Sequence, residues 1–218
     1  MTLHLCACQF YQRTPCEKIA AVQAACLDTG VAYEIVPDLC YVAAKERDKL
    51  ANLASGDVVL ACQTRAVRSM LGNAGNVRCV DLRTESLEDI LQSLDLSPVD
   101  VPADELIYNK LSADWTPWFP VIDAERCVHC RKCVDFCMFG VYAVEETQVR
   151  VIKPEACKTD CPACARICPQ NAIMFPKSNE ERLNGSLNEA VKPSASDNTS
   201  FRERLKHRKG LRLFKEDE

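Results

Sequence analysis

The chain has 218 residues, 27 Lys and Arg against 31 Asp and Glu, 47% apolar residues and 15 Cys. That apolar share is enough for at least one real core, so neither a disordered chain nor a minimal disulfide-stapled scaffold fits. A formal charge of -4 excludes a globally basic nucleic-acid binder, and no run of about 18 uncharged apolar residues marks a membrane span.

The start, MTLHLCACQF, has neither the basic stretch nor the long apolar stretch of a secretory signal, so the expected compartment is the cytosol. Thiols stay reduced there. An odd number of cysteines cannot all pair within one chain, and the surplus points to metal or redox chemistry.

LHLCAC reads as a short buried strand. Thr14-Pro15 suits a helix cap and first helical position, ahead of the apolar-periodic CEKIAAVQAACLDTG that Gly30 closes. VAYEIVPDLC is expected as a second strand ending near Cys40, followed by a helix over YVAAKERDKLANLASG. DVVLAC is continuous and apolar, as a parallel strand covered on both faces should be, and TRAVRSMLGNAG follows as a helix before a fourth strand, NVRCVDL. Strands alternating with helices predict a small doubly wound parallel sheet, an α/β domain over residues 1-96.

Residues 97-118, with four acids and three prolines, read as a connector that packs through Trp115 and Trp118. An internal repeat follows. Val121-Ile122 through Cys127 matches Val151-Ile152 through Cys157 at an offset of 30, and Cys130, Cys133 and Cys137 match Cys161, Cys164 and Cys168 at 31. From 178 to 218 the chain has the composition of a flexible tail. Its segment 201-215 is basic and amphipathic and reads as a solvated, frayed helix, docking on an acidic partner surface being the alternative.

The two runs are Cys127-x2-Cys130-x2-Cys133-x3-Cys137 and Cys157-x3-Cys161-x2-Cys164-x3-Cys168-Pro169. A short loop with cysteine at every third position wraps three thiolates around one iron-sulfur cube, and the fourth must come from elsewhere. If the last cysteine of each run begins a helical turn, it points away from its own loop and reaches the cluster of the other. Cluster one then takes Cys127, Cys130, Cys133 and Cys168, and cluster two takes Cys137, Cys157, Cys161 and Cys164. Structural zinc is the competing reading, but all-cysteine zinc sites favour paired Cys-x2-Cys knuckles across a longer spacer. His129, between two ligands, reads as a surface histidine donating toward cluster or solvent.

On these residues the stretch 119-176 resembles a bacterial-type ferredoxin domain with two 4Fe-4S clusters, and the expected domain runs over 119-177. That resemblance implies an α+β ferredoxin-like fold of two antiparallel hairpins and two short helices with pseudo-two-fold symmetry. It also implies a role in shuttling single electrons. Two departures stand out: Lys158-Thr159-Asp160 adds a residue between the first two cysteines of the second run, and Met138 stands where proline is common. The longer loop makes Cys157 the least secure of the eight.

In an open parallel sheet, groups at the carboxyl ends of the strands converge on one edge. Cys6, Cys8, Cys40 and Cys62 all fall at such ends and form a possible third iron-sulfur or metal site, a thiol redox pair being the alternative. Their ordering over residues 3 to about 80 also resembles the N-terminal domain of the heterodisulfide reductase iron-sulfur flavoprotein subunit. The departures there are Gln9 and Gln63-Thr64. Cys26 and Cys79 read as buried apolar residues and Cys16 as a buried structural thiol near a helix start. His4 is expected to pack against the sheet. No glycine motif supports a nucleotide, because LGNAGN closes a helix instead of following a first strand.

The resulting expectation is an electron-transfer protein with two 4Fe-4S clusters, a subunit or dedicated redox partner of a larger oxidoreductase. The alternatives are a thiol or small-substrate reductase working at the N-terminal cysteines, and an assembly module whose tail docks.

Overall fold

The computed structural model describes residues 1-72, 76-99 and 108-186. Its first half runs β1 (Leu3–Cys6), α1 (Cys16–Thr29), β2 (Tyr33–Val36), α2 (Leu39–Lys45), α3 (Arg47–Ala51), β3 (Val58–Ala61), α4 (Thr64–Leu71), β4 (Arg78–Asp81) and α5 (Leu87–Ser93). All four strands pair in parallel, in the order β2-β1-β3-β4. The alternation along each strand sorts the faces. Leu3, Leu5, Val58, Leu60 and Val80 join Ile19, Val22 and Ile90 of α1 and α5 in one apolar cluster. Val59, Ala61 and Cys79 join Leu39, Leu50, Val67 and Met70 of α2, α3 and α4 in another. The sheet is therefore covered on both sides, as the unbroken apolar run of β3 predicts.

Several local expectations give way to tertiary contacts. Helix α1 starts at Cys16 with Pro15 as its cap residue, because the Thr14 hydroxyl is used elsewhere: it donates to the Cys6 carbonyl at 3.0 Å and is buried. Cys16 is exposed, contrary to the buried reading, while Cys26 and Cys79 are buried as expected. Strand β2 stops at Val36 before Pro37, which has no N–H for the ladder. Cys40 accordingly lies in the first turn of α2 instead of closing a strand. The single helix expected after it is two, α2 and α3, with Glu46 at φ -132° between them.

Helix α5 carries a start signal that the strand-centred reading passed over. The Ser86 hydroxyl accepts from the Asp89 N–H at 3.1 Å and donates to its carboxylate at 2.6 Å, a variant of the capping box.

The second half contains two two-stranded antiparallel sheets. β5 (Val121–Ile122) pairs with β8 (Ile173–Met174), and β6 (Tyr142–Glu145) pairs with β7 (Gln148–Val151). The short helices α6 (Lys132–Phe136) and α7 (Ala163–Ile167) sit between them in sequence, and α8 (Glu181–Asn184) follows. Leu183 and Asn184 are buried, so the stretch expected to begin a flexible tail at 178 starts instead with packed chain. The basic segment 201-215, like residues 100-107 of the connector, lies outside the described residues. Within the connector, Trp118 is buried and stacks on Phe175 with centroids 5.3 Å apart, and Trp115 lies against the α2–α4 side.

The two halves share one core. Phe119, Val121 and Met174 belong to the same buried cluster as Cys6, Val59 and Met70. Arg65 of α4 donates from Nε to Asp123 at 2.7 Å and from Nη2 to the Asn171 carbonyl at 2.7 Å. Gly185, at φ +93°, has no room for a side chain, since a Cβ there would meet Met174 Sδ at 2.9 Å and Ala66 Cβ at 3.2 Å.

Asp57, buried before β3, holds the N-terminal strand in place. Its carboxylate accepts from the Thr2 N–H at 2.8 Å and the Ala54 N–H at 2.9 Å, and His4 Nε2 lies 3.4 Å away. His4 is also 3.2 Å from Glu34, so it packs on the sheet through two acidic neighbours. The Thr2 N–H, opposed by burial and helped by Ala54 and His4, holds the Asp57 carboxyl below the usual carboxylate range. A depressed folded-state pKa contributes stability that is present above the unfolded value of about 4 and is lost as pH falls through the folded value. Asp57→Asn is expected to cost about 1–3 kcal/mol at pH 7. In unfolding followed by circular dichroism, the gap to the unaltered protein should narrow as pH falls below about 4; a gap constant with pH refutes this role.

Candidate metal centre

The repeat seen in the sequence is also a repeat in backbone geometry. In the first copy His129 and Arg131 take the left-handed region at φ 53° and 63°, and in the second Asp160 does so at φ 58°. These are uncommon for non-glycine residues and curl each loop inward. Cys133 and Cys164 lie in the short helices α6 and α7, and Cys137 and Cys168 are the residues that close them, in extended geometry. The last cysteine of each run thus ends a helical turn, where the sequence suggested that it begins one. The consequence for direction is the same, because extended backbone after the helix turns its thiol away from its own loop.

Cys127, Cys130, Cys133 and Cys168 line one cleft of about 370 Å3 including its open mouth, with Ile122 and Pro169 among its walls. Burial pushes the Cys133 thiol up to about 12, and Cys127 and Cys168 add to the shift. Burial also raises Cys127, with Cys168 and Cys130 contributing. The second group is equally coherent. Burial pushes Cys157 up to about 12, with Cys164, Cys161 and Cys137 adding to it. Cys164 rises to about 11, first by burial, against the Tyr142 hydroxyl that donates to its sulfur at 3.0 Å, with Cys137 and Cys161 nearby. Each fourth cysteine therefore stands with the three of the other copy.

The sulfurs also receive backbone N–H groups. Ala172 donates to Cys168 Sγ at 3.4 Å, and Val134 and Ala165 supply N–H groups to Cys133 and Cys164. Among the described residues no three His, Cys, Asp or Glu side chains gather tightly enough to hold a single metal ion. A lone zinc ion needs sulfurs at about 2.3 Å from one point, whereas a four-iron core presents its thiolates around a larger body. Four thiols per group, within electrostatic reach but not converging on one point, fit the 4Fe-4S group.

His129 does not behave as a surface donor toward the sulfurs. Its Nδ1 accepts from the Val149 N–H at 3.0 Å, so that nitrogen carries the lone pair although it lies 3.6 Å from Cys127 Sγ. The ring braces the first loop against β7.

At the carboxyl edge of the parallel sheet, Cys6, Cys8, Cys40 and Cys62 come together, each no more than 7% exposed. Burial pushes Cys62 up to about 12 with Cys8 adding to it. Burial also raises Cys6 and Cys40 well above the ordinary thiol value, with Cys8 and Cys62 again contributing to both. As free thiols Cys6, Cys40 and Cys62 are protonated at neutral pH and poor nucleophiles. Beside them lies a pair that sequence reasoning missed, Lys177 and Asp38, 4% and 0% exposed. Lys177 Nζ donates to Asp38 at 2.6 Å and to Cys8 Sγ at 3.2 Å. Burial alone lowers this ammonium's pKa, but Cys40, Asp38, Cys8 and Cys6 reverse that and hold it well above the ordinary lysine value.

Paired cysteine loops between small antiparallel sheets, with thiols in groups of four, define an iron-sulfur protein. A family model for a 4Fe-4S binding domain matches residues 119-142. The chain is 44% identical over 78 residues to an uncharacterized ferredoxin of Methanocaldococcus jannaschii, covering 35% of this chain and 52% of that one. It is 37% identical over 76 residues to the pyruvate synthase subunit PorD of the same organism, covering 35% of this chain and 84% of the subunit. With ferredoxin-3 of a Nostoc species it shares 33% identity over 76 residues, 26% of this chain and 77% of the relative. This chain belongs to the 4Fe-4S ferredoxin family, iron-sulfur proteins of electron transport. It spans about half the length of the first of these relatives. Among the described residues no helix is long and apolar enough to cross a membrane.

Proposed function

We propose that this ferredoxin carries two 4Fe-4S clusters and passes single electrons as a subunit or dedicated partner of a larger oxidoreductase. Cys127, Cys130, Cys133 and Cys168 hold the first cluster, and Cys137, Cys157, Cys161 and Cys164 hold the second. The observation that carries this reading is the exchange of the fourth cysteine between copies, which gives each group the four thiols a cube requires. When bound, the clusters take up and release one electron at a time.

The chain's own residues set the conditions. Tyr142 and the Ala172 N–H donate to Cys164 and Cys168, and hydrogen bonds to cluster sulfurs favour the more negative, reduced form and so raise the potential. Trp118, Phe175 and Val141 belong to the buried cluster that holds Cys164 and packs against Cys133, Cys137, Cys157 and Cys168 of the two groups. The extra residue of the Lys158–Asp160 loop leaves Cys157 inside its group.

The partner role draws on two things. PorD, a pyruvate synthase subunit by name, is matched over most of its length. Residues 119-176 carry seven basic and seven acidic side chains, so they lack the strong field that steers a freely diffusing acidic carrier to its partners. The cysteine use fits a reducing compartment such as the cytosol. Burial pushes the Cys6, Cys40 and Cys62 thiols up and makes them poor nucleophiles, which counts against the dithiol reductase alternative at those three positions.

The test is anaerobic iron and acid-labile sulfide determination on the full chain, with spin-resonance spectra after dithionite reduction. At least about eight irons and eight sulfides per chain, with the signature of two interacting reduced cubes, are expected. About four irons, or zinc in their place, overturns the assignment.

A further inference from the structure

Beyond the two ferredoxin clusters, we propose that Cys6, Cys8, Cys40 and Cys62 hold a third iron-sulfur cluster, and that Lys177 is the buried cation that positions and compensates it. The site lies where a parallel sheet accepts ligands. With the strand order β2-β1-β3-β4, the chain leaves β1 toward one side and returns to β3 on the other, so the carboxyl ends of β1 and β3 open on a topological switch point. Cys6 closes β1, Cys8 is two residues on, and Cys62 follows β3 directly. Cys40 enters from the first turn of α2.

Free buried cysteine is commonly a small apolar filler, and four features here exceed that role. Cys8 is held at φ 48°, a left-handed conformation that costs a non-glycine residue energy and clusters at functional sites. The Leu39 N–H points at Cys6 Sγ at 3.4 Å and the Gln63 N–H at Cys62, the same N–H-to-sulfur pattern seen in the two ferredoxin groups. Gln63 is 2% exposed, and neither its amide nitrogen nor its oxygen has a hydrogen-bond partner among the described residues. A buried polar group left this way calls for a missing neighbour, and inorganic sulfide beside Cys62 supplies an acceptor for the amide nitrogen. Lastly, an apolar filler has no need of an ammonium, yet Lys177 Nζ sits 3.2 Å from Cys8 Sγ.

The spacing again argues for a cluster over one ion. The four thiols lie within electrostatic reach of each other, yet no three close on a single metal position. Four thiolates around a four-iron core leave net negative charge, and the cation offsets part of it.

Lys177 comes from the chain just after β8, 169 residues from Cys8. The site is therefore complete only when the ferredoxin half docks on the sheet. Arg13, which donates to the Lys177 carbonyl at 2.7 Å, helps to anchor that strand end. Cys157 packs against both the cluster that contains Cys6 and Cys62 and the one that contains Cys164, so the third site adjoins the second ferredoxin group.

The experiment is an iron and sulfide count on the full chain after anaerobic reconstitution with iron and sulfide, together with a potentiometric titration followed by spin resonance. Three variants are compared with the unaltered protein: Cys8→Ser, the same change at all of Cys6, Cys8, Cys40 and Cys62, and Lys177→Met. The proposal expects about twelve irons in the unaltered chain and about eight in the four-cysteine variant. Lys177→Met is expected either to lower the midpoint of one signal, leaving the other two in place, or to release those same four irons.

About eight irons in the unaltered chain, unchanged by Cys8→Ser, overturns the third site and leaves the two-cluster reading standing. Fewer than about eight in the unaltered chain counts against the two-cluster reading itself. A disulfide formed on air oxidation with no iron lost overturns the proposal in favour of a thiol pair. Unmoved potentials in Lys177→Met, with all irons kept, overturn the role given to the lysine.

Discussion

Cys168→Ala is expected to strip about four irons from the first ferredoxin group, leaving the second loaded although Cys168 belongs to the second run of the sequence. The reason is spatial. Cys168 closes α7 in extended geometry and stands with Cys127 and Cys133, not with Cys157, Cys161 and Cys164. Cys137→Ala should do the reverse, emptying the group built on the second run. Iron and sulfide counts combined with spin-resonance spectra of the reduced variants separate the cases, because loss of either ferredoxin cube removes its own signal and its magnetic interaction with the other ferredoxin cube. The crossed arrangement fails if Cys168→Ala empties the site of Cys157, Cys161 and Cys164.

Removing the Asp38 carboxylate is expected to be the most damaging single change away from the ferredoxin cysteines. Asp38 is fully buried and does three things: it accepts from Lys177 at 2.6 Å, caps α2 through the Tyr41 N–H at 3.2 Å, and receives the Phe10 N–H at 3.4 Å. Asp38→Ala leaves a buried ammonium with no carboxylate, a situation that costs about 3–5 kcal/mol. For a chain of this size that corresponds to a fall in melting temperature of roughly 6–20 °C. The double variant Asp38→Ala, Lys177→Met removes both charges and should recover at least half of the loss, leaving the missing cap as the residue. Anaerobic thermal melts of the four proteins make the cycle. A double variant as unstable as Asp38→Ala alone shows that the cap and packing, not the ion pair, carry the effect.

Much of this architecture is legible along the chain. The apolar run of β3 and the helix-strand alternation anticipate a parallel sheet, since burial on both faces writes itself into consecutive residues. The cysteine triplets anticipate the two loops because wrapping a cube is a local requirement. The misses have local causes of another kind. Thr14 yields its capping role to a buried bond with Cys6. Proline ends β2 early and puts Cys40 on a helix. Leu183 and Asn184 are buried in a segment whose composition reads as tail.

By itself the sequence determined which residue types recur at which spacing, and therefore the eight paired thiols, the parallel strands and the repeat. Those are properties of neighbours, carried by periods of two, three and about four residues. Only the tertiary structure decided that Lys177 meets Asp38 and Cys8 across 139 and 169 residues, that Tyr142 reaches Cys164, and that the Gln63 side-chain amide is enclosed with no hydrogen-bond partner among the described residues. A lysine among lysines carries no mark of burial in the sequence. Its role arises when the second half closes over the sheet edge, where low dielectric makes a charge costly unless opposite charge and hydrogen bonds surround it.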